Sequence, residues 1–295
     1  MAAANEAPVL VGIGPQDALP VARLAAREAA AHGRRLHLLH AFNWATFDDP
    51  GVSHSRAQAE QLIAAATAAI NENEPGVPVT AEITEGSAVS NILSRSETAF
   101  LVVVGDGGMA HCDRCIPADS HAVQVAARAD CPVLVARREP PPAGPILVGI
   151  DGSASAEVAL QWALSCATQH RARLLALWVV DSDGSVGYAT ERLSETLSRH
   201  RSDHPDIAVE SHVVEGEPDD VLVNQSRSAQ LVVVAARGEE PLRGMLGAVS
   251  QTLLYHAPSP VIVIRGVTAH RTVTGRDTRI GGTNGPDPGS PIQRS

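Results

Sequence analysis

Residues 8–14 read PVLVGIG, and residues 145–151 read PILVGID. Each is a proline followed by an unbroken apolar run that ends at Gly14 or Asp151. That is the pattern of a strand buried on both faces and stopped by a turn. The correspondence continues in the same order downstream. RLHLLHA (35–41) pairs with RLLALWV (173–179), and ITEGSAV (83–89) with VVEGEPD (213–219). AFLVVVGDGG (99–108) pairs with AQLVVVAARG (229–238), and CPVLVAR (131–137) with SPVIVIR (259–265). Chance similarity among apolar runs does not preserve order, so the chain is a tandem duplication.

The units follow from the repeat. Residues 1–137 form the first, 138–144 a proline-rich extended linker, and 145–266 the second. Residues 267–295 keep no periodicity and are dominated by Gly, Pro, Asn, Asp and Ser, which predicts a disordered tail. Within each unit, short Val/Ile/Leu runs alternate with longer amphipathic stretches in the order βαβαβαβαβ. The expected fold is therefore α/β: two tandem, doubly wound, mostly parallel five-stranded sheets flanked by helices. The last strand of each unit is a candidate pairing edge.

Composition removes several function classes. All 23 basic residues among the 295 are arginine. Without lysine there is no Walker A loop, no kinase strand lysine and no Schiff-base lysine. The net charge of −10 argues against nucleic acid as a partner. No apolar run is long enough to span a membrane, and the N-terminal residues lack the basic and apolar regions of a signal peptide. Four cysteines make no disulfide framework. A cytoplasmic location is expected.

In an open α/β sheet, ligands bind beyond the carboxyl ends of the strands where the strand order reverses. The residues after the first and fourth strands of each unit are therefore the candidates. In the second unit these are Asp151-Gly152-Ser153 and the stretch from Ala235 to Ser250, a glycine-containing loop that feeds a helix and suits an anion.

A duplicated unit that opens with VGIDGS and closes with a glycine loop, G-A-V-S and an SPV or CPV strand resembles the universal stress protein family, in its tandem actinobacterial form. The resemblance covers about residues 8–266. It implies a nucleotide-binding α/β fold of the HUP group, a stress-linked regulatory role, and ATP, with Mg²⁺, as cofactor. The residues themselves show no catalytic constellation, with neither a general base nor a metal-binding carboxylate pair, so turnover is not expected. The resemblance also implies either homo-oligomers or an intramolecular pairing of the two units.

The family motif is Gly-x2-Gly-x9-Gly-Ser/Thr with an Asp after the first strand. By that resemblance Asp151 meets the adenosine and Val179 offers backbone to the base. Gly238, Gly247, Val249 and Ser250 then form the phosphate cradle. Three departures weaken it: Ala235 replaces the first glycine, Ala248 the hydroxyl, and eight residues rather than nine separate Gly238 from Gly247. Arg237 and Arg243 are the cations at hand. In the first unit Gly105, Gly108 and Ser120 fit the motif. There Gly14 replaces the Asp, and Asp119 takes the third glycine position, where a carboxylate repels phosphate. The second unit is therefore the expected site and the first the weaker one.

Two other functions compete. One is an interaction or dimerisation module without nucleotide. The other is a thiol or metal sensor at Cys112-x2-Cys115, with His111 and His121 as further ligands. Cys131 and Cys166 read as buried spectators. His54, His170, His200 and His204 read as surface residues, because no Ser or Asp stands at a telling spacing.

Overall fold

A computed structural model describes residues 7–42, 56–107, 109, 120–182, 184–237 and 244–265. The tail expected from residue 267 onward lies outside them. Among the described residues ten strands and eight helices alternate. The first unit contributes β1 (Val9–Gly12), α1 (Ala18–Ala31), β2 (Leu36–Phe42), α2 (Arg56–Asn73) and β3 (Val79–Glu85). It continues with α3 (Ala88–Ser96), β4 (Leu101–Gly105), α4 (His121–Arg128) and β5 (Val133–Ala136). The second unit repeats this with β6 (Ile146–Ile150), α5 (Ala154–His170), β7 (Leu174–Val180), α6 (Val186–Arg201) and β8 (Val209–Glu215). It closes with α7 (Pro218–Ser226), β9 (Leu231–Ala235), α8 (Ala248–His256) and β10 (Val261–Ile264). No helix among the described residues is long and apolar enough to cross a membrane.

The two expected sheets are one. The strand order is β3-β2-β1-β4-β5-β10-β9-β6-β7-β8, parallel throughout except at the centre, where β5 and β10 run antiparallel. Leu134 pairs with Ile262 there, between Val135–Val261 and Val133–Val263. Every residue of β5 and β10 is buried. A strand apolar on both faces has no soluble edge to leave open, and each unit closes the other's.

Side chains alternate between two apolar layers that each run through both units. Val9, Val11 and Leu36 join Ala22, Ala25, Ile70, Leu160 and Leu193 under α1, α2, α5 and α6. Leu10, Leu39, Val102 and Val133 join Ile92, Val125, Leu222 and Leu253 under α3, α4, α7 and α8. With aromatics at only 3%, alanine carries much of this packing, which lets helices lie close to the sheet.

Polar groups stitch the seam between the units. Arg137, the last residue of the first unit before the linker, is 5% exposed. Its guanidinium donates to Asp106 at 3.2 Å within its own unit, and to the Leu253 and Ser259 carbonyls at 3.0 and 3.3 Å in the other. Arg265 donates in return to the Ala127 carbonyl. On the other face, Glu28 of α1 is 1% exposed and lies 3.2 Å from His170 of α5. His170 is thus a seam residue rather than the surface residue its sequence context suggests. His32, Phe100 and Trp162 stack beside it, with ring centroids 5.1 and 5.2 Å apart.

Candidate functional site

The strand order reverses between β1 and β4 and again between β6 and β9, so each unit has one crevice at its strand ends. In the second unit, Asp151 leaves β6 in a tight turn. Its Oδ1 accepts the Ser153 N–H at 2.9 Å, and Ser153 caps α5 by accepting the Ala156 N–H at 3.1 Å. Gly152 between them has φ +80°, and a Cβ there would stand 2.7 Å from the Trp178 ring. Glycine is required on both counts. Val179 follows Trp178 at the end of β7, half-buried.

Across the switch point, β9 ends at Ala235 and holds the start of α8. Ser250 Oγ donates to the Ala235 carbonyl at 2.6 Å, and the Gly247 N–H donates to the Ala236 carbonyl at 2.7 Å. Gly247 is the N-cap of α8 and supplies no side-chain cap, so among the described residues no side-chain bond to the first-turn N–H groups of Ala248, Val249 and Ser250 is made. The Ser250 hydroxyl proton is spent on Ala235 and the residue is 3% exposed. Its role here is to position α8 rather than to offer a hydroxyl. Arg237 is half-buried, with its guanidinium 4.0 Å from the Met245 sulfur. Gly238 and Arg243 lie outside the described residues.

The first unit is arranged differently. Its crevice holds a cavity of about 460 Å³, walled by Ile13, Leu39, Ile92, Val104, Met109 and Val125 and reached by Gly14, Gly105, Ser120 and His121. Asp17 enters it. As the N-cap residue of α1, Asp17 makes no side-chain cap bond: of the two N–H groups a cap ordinarily takes, that of Pro20 does not exist and that of Leu19 is not used. The carboxylate instead turns to the notch over Gly105, where a Cβ would overlap it, and the Gly107 backbone N–H favours its charged form. Burial pushes its pKa above the usual carboxylate value, and the Asp106 carboxylate adds to the rise. Sequence reasoning passed over Asp17. The signal was D-A-L-P: a capping residue whose capping partner is a proline.

His40 stands in the same wall at the position that Trp178 holds in the second unit. Its Nδ1 lies 2.8 Å from the Ile13 carbonyl and donates to it, and its Nε2 is buried with no hydrogen-bond partner. Ser120 is the N-cap of α4 without a side-chain cap bond. Gly108, His111, Cys112 and Cys115 lie outside the described residues. Among the described residues no group of three His, Cys, Asp or Glu side chains could hold a metal ion.

The model of the universal stress protein family matches residues 7–137 and again 143–265. A universal stress protein of Mycolicibacterium smegmatis is 30% identical over 293 residues, covering 89% of this chain and 98% of that one. Another, from Mycobacterium tuberculosis, is 32% identical over 286 residues, covering 87% and 96%. Among solved structures, a universal stress protein of Archaeoglobus fulgidus superposes with a TM-score of 0.67 at 16% identity, covering 88% of this chain and 97% of that one.

Proposed function

This chain belongs to the universal stress protein family, and from that premise we propose that its second unit binds an adenine nucleotide, ATP foremost, as a regulatory ligand that is not turned over. One observation carries the reading. The N-terminus of α8 is tied to the end of β9 by Ser250 and Gly247, has no side-chain cap, and stands at the switch point beside the Asp151 turn. First-turn N–H groups and the helix dipole favour a phosphate there. The Asp151 carboxylate, with one oxygen held by Ser153, keeps the other for a ribose hydroxyl. The backbone at Val179 serves the base. Arg237 supplies charge at the loop, with Mg²⁺ accompanying the triphosphate.

The test is direct. The purified full chain is denatured and the supernatant assayed for adenine nucleotide. ATP-Mg²⁺ is then titrated into the native protein by calorimetry. Binding that weakens in Asp151→Ala supports the assignment. No nucleotide in the supernatant and no heat at millimolar ATP sink it. Binding that is indifferent to Asp151→Ala moves the site elsewhere.

A further inference from the structure

The first-unit cavity differs from the second-unit crevice in charge as well as shape. Among the described residues no arginine lines it, and the one arginine whose charge acts on Asp17, Arg138, stands outside the lining. Among the described residues the cavity's titratable lining groups are Asp17, Asp106, His40 and His121. Asp106 is neutralised by Arg137 at 3.2 Å. Asp17 forms no ion pair among the described residues, and His40 adds a buried Nε2 without a hydrogen-bond partner in the same wall. The remaining lining is chiefly aliphatic.

The Asp17 carboxylate also fills the Gly105 notch, so the protein's own anion occupies the place suited to a ligand's. A phosphate would have to displace it and would meet a like charge. A cavity of about 460 Å³ lies in the range of small-molecule sites. We propose that the first unit binds a small organic cation, a primary amine on an apolar body, with Asp17 as its counter-ion. The apolar body lies against Leu39, Ile92 and Val125 while the ammonium faces Asp17. The two units thus select ligands of opposite charge, and this holds independently of nucleotide binding in the second.

The probes are three molecules of one shape: benzylamine, benzyl alcohol and benzoate. Their affinities for the full chain are measured by ligand-observed NMR. Benzylamine should bind at least ten times more tightly than either of the others. Asp17→Asn should reduce it to the level of benzyl alcohol. Ala88→Trp, which places a ring into the cavity from the first turn of α3, should abolish binding of benzylamine while the far-ultraviolet circular dichroism stays unchanged. Three results each overturn the proposal: no preference for the amine in the unaltered protein, an amine affinity that survives Asp17→Asn, or one that survives Ala88→Trp in a folded protein.

Discussion

Replacing Gly247 by aspartate should strengthen the fold and weaken nucleotide binding together. Gly247 has φ −69° and ψ 159°, an ordinary extended conformation, and a Cβ there meets nothing nearer than 3.5 Å. Aspartate therefore enters without strain, caps α8 by accepting a first-turn N–H, and places a negative charge at the positive end of the helix dipole. Replacing a glycine cap gains a few tenths of a kcal/mol, and the dipole adds about 0.3–1 kcal/mol. The sum, about 0.5–1 kcal/mol, raises Tm by about 1–4 °C in a protein of this size. The same carboxylate takes the N–H groups proposed for phosphate. Losing a hydrogen bond to a charged group costs about 1.5–3 kcal/mol, or about 10- to 150-fold in Kd. Scanning calorimetry reads the first effect and titration with ATP-Mg²⁺ the second. Gly247→Asn, an uncharged cap, should keep most of the stabilisation and lose less affinity. Unchanged ATP affinity in Gly247→Asp would refute the α8 assignment, and a fall in Tm would refute the geometry of its first turn.

Other expectations follow from the same structure. Arg137→Met should destabilise the chain by about 3–5 kcal/mol, because it strands the Asp106 carboxylate in the interior; adding Asp106→Asn should recover part of that loss in urea unfolding. Gly152→Ala should cost about 1–3 kcal/mol, from a left-handed φ and a Cβ driven against Trp178. Glu28 raises the His170 pKa above its ordinary 6.5, so the protonated pair stabilises the fold fully below pH 6.5 and loses that contribution as pH rises through the raised value. The stability difference between the unaltered protein and His170→Gln should therefore be largest in mild acid and vanish in alkali, and a difference independent of pH would rule the pair out. Burial pushes the Cys131 thiol up to about 12 and the Cys166 thiol well above its usual value. Of the four cysteines, at most two should then react with Ellman's reagent before denaturation.

The strands and their order were legible because a two-faced sheet leaves an unmistakable trace: apolar runs such as LVVV and VIVI, repeated in sequence. The pairing edge on the last strands was legible too, but not that each would choose the other, since partner choice depends on where the linker lets the second unit go. Charges were the least legible. Glu28 sits in an alanine-rich helix and Arg137 at the head of a proline stretch, and nothing local separates either from a solvated residue. Their burial is set by groups more than a hundred residues away, His170 for one and Leu253 and Ser259 for the other. Ser250 matched a motif hydroxyl by spacing, yet its rotamer commits it to a carbonyl. Asp17 was invisible because its place depends on Gly105, almost ninety residues on, whose missing side chain leaves the notch it fills.

The antiparallel meeting of β5 and β10 has one more implication. Two identical subunits joined this way would repeat every seam residue across a twofold axis, and each substitution would appear on both sides at once. The offset that aligns RLHLLHA with RLLALWV also aligns His32 with His170 and Glu28 with Cys166. A symmetric dimer of first units would therefore set two buried glutamates at related positions on one seam, and a dimer of second units would set two thiols there. Covalent fusion lifts that constraint. One carboxylate lies between two imidazoles, 3.2 Å from His170 and 3.8 Å from His32, while a small thiol occupies the matching position. Inheritance as a single gene has let the halves grow unequal at the place where equality would have been most costly.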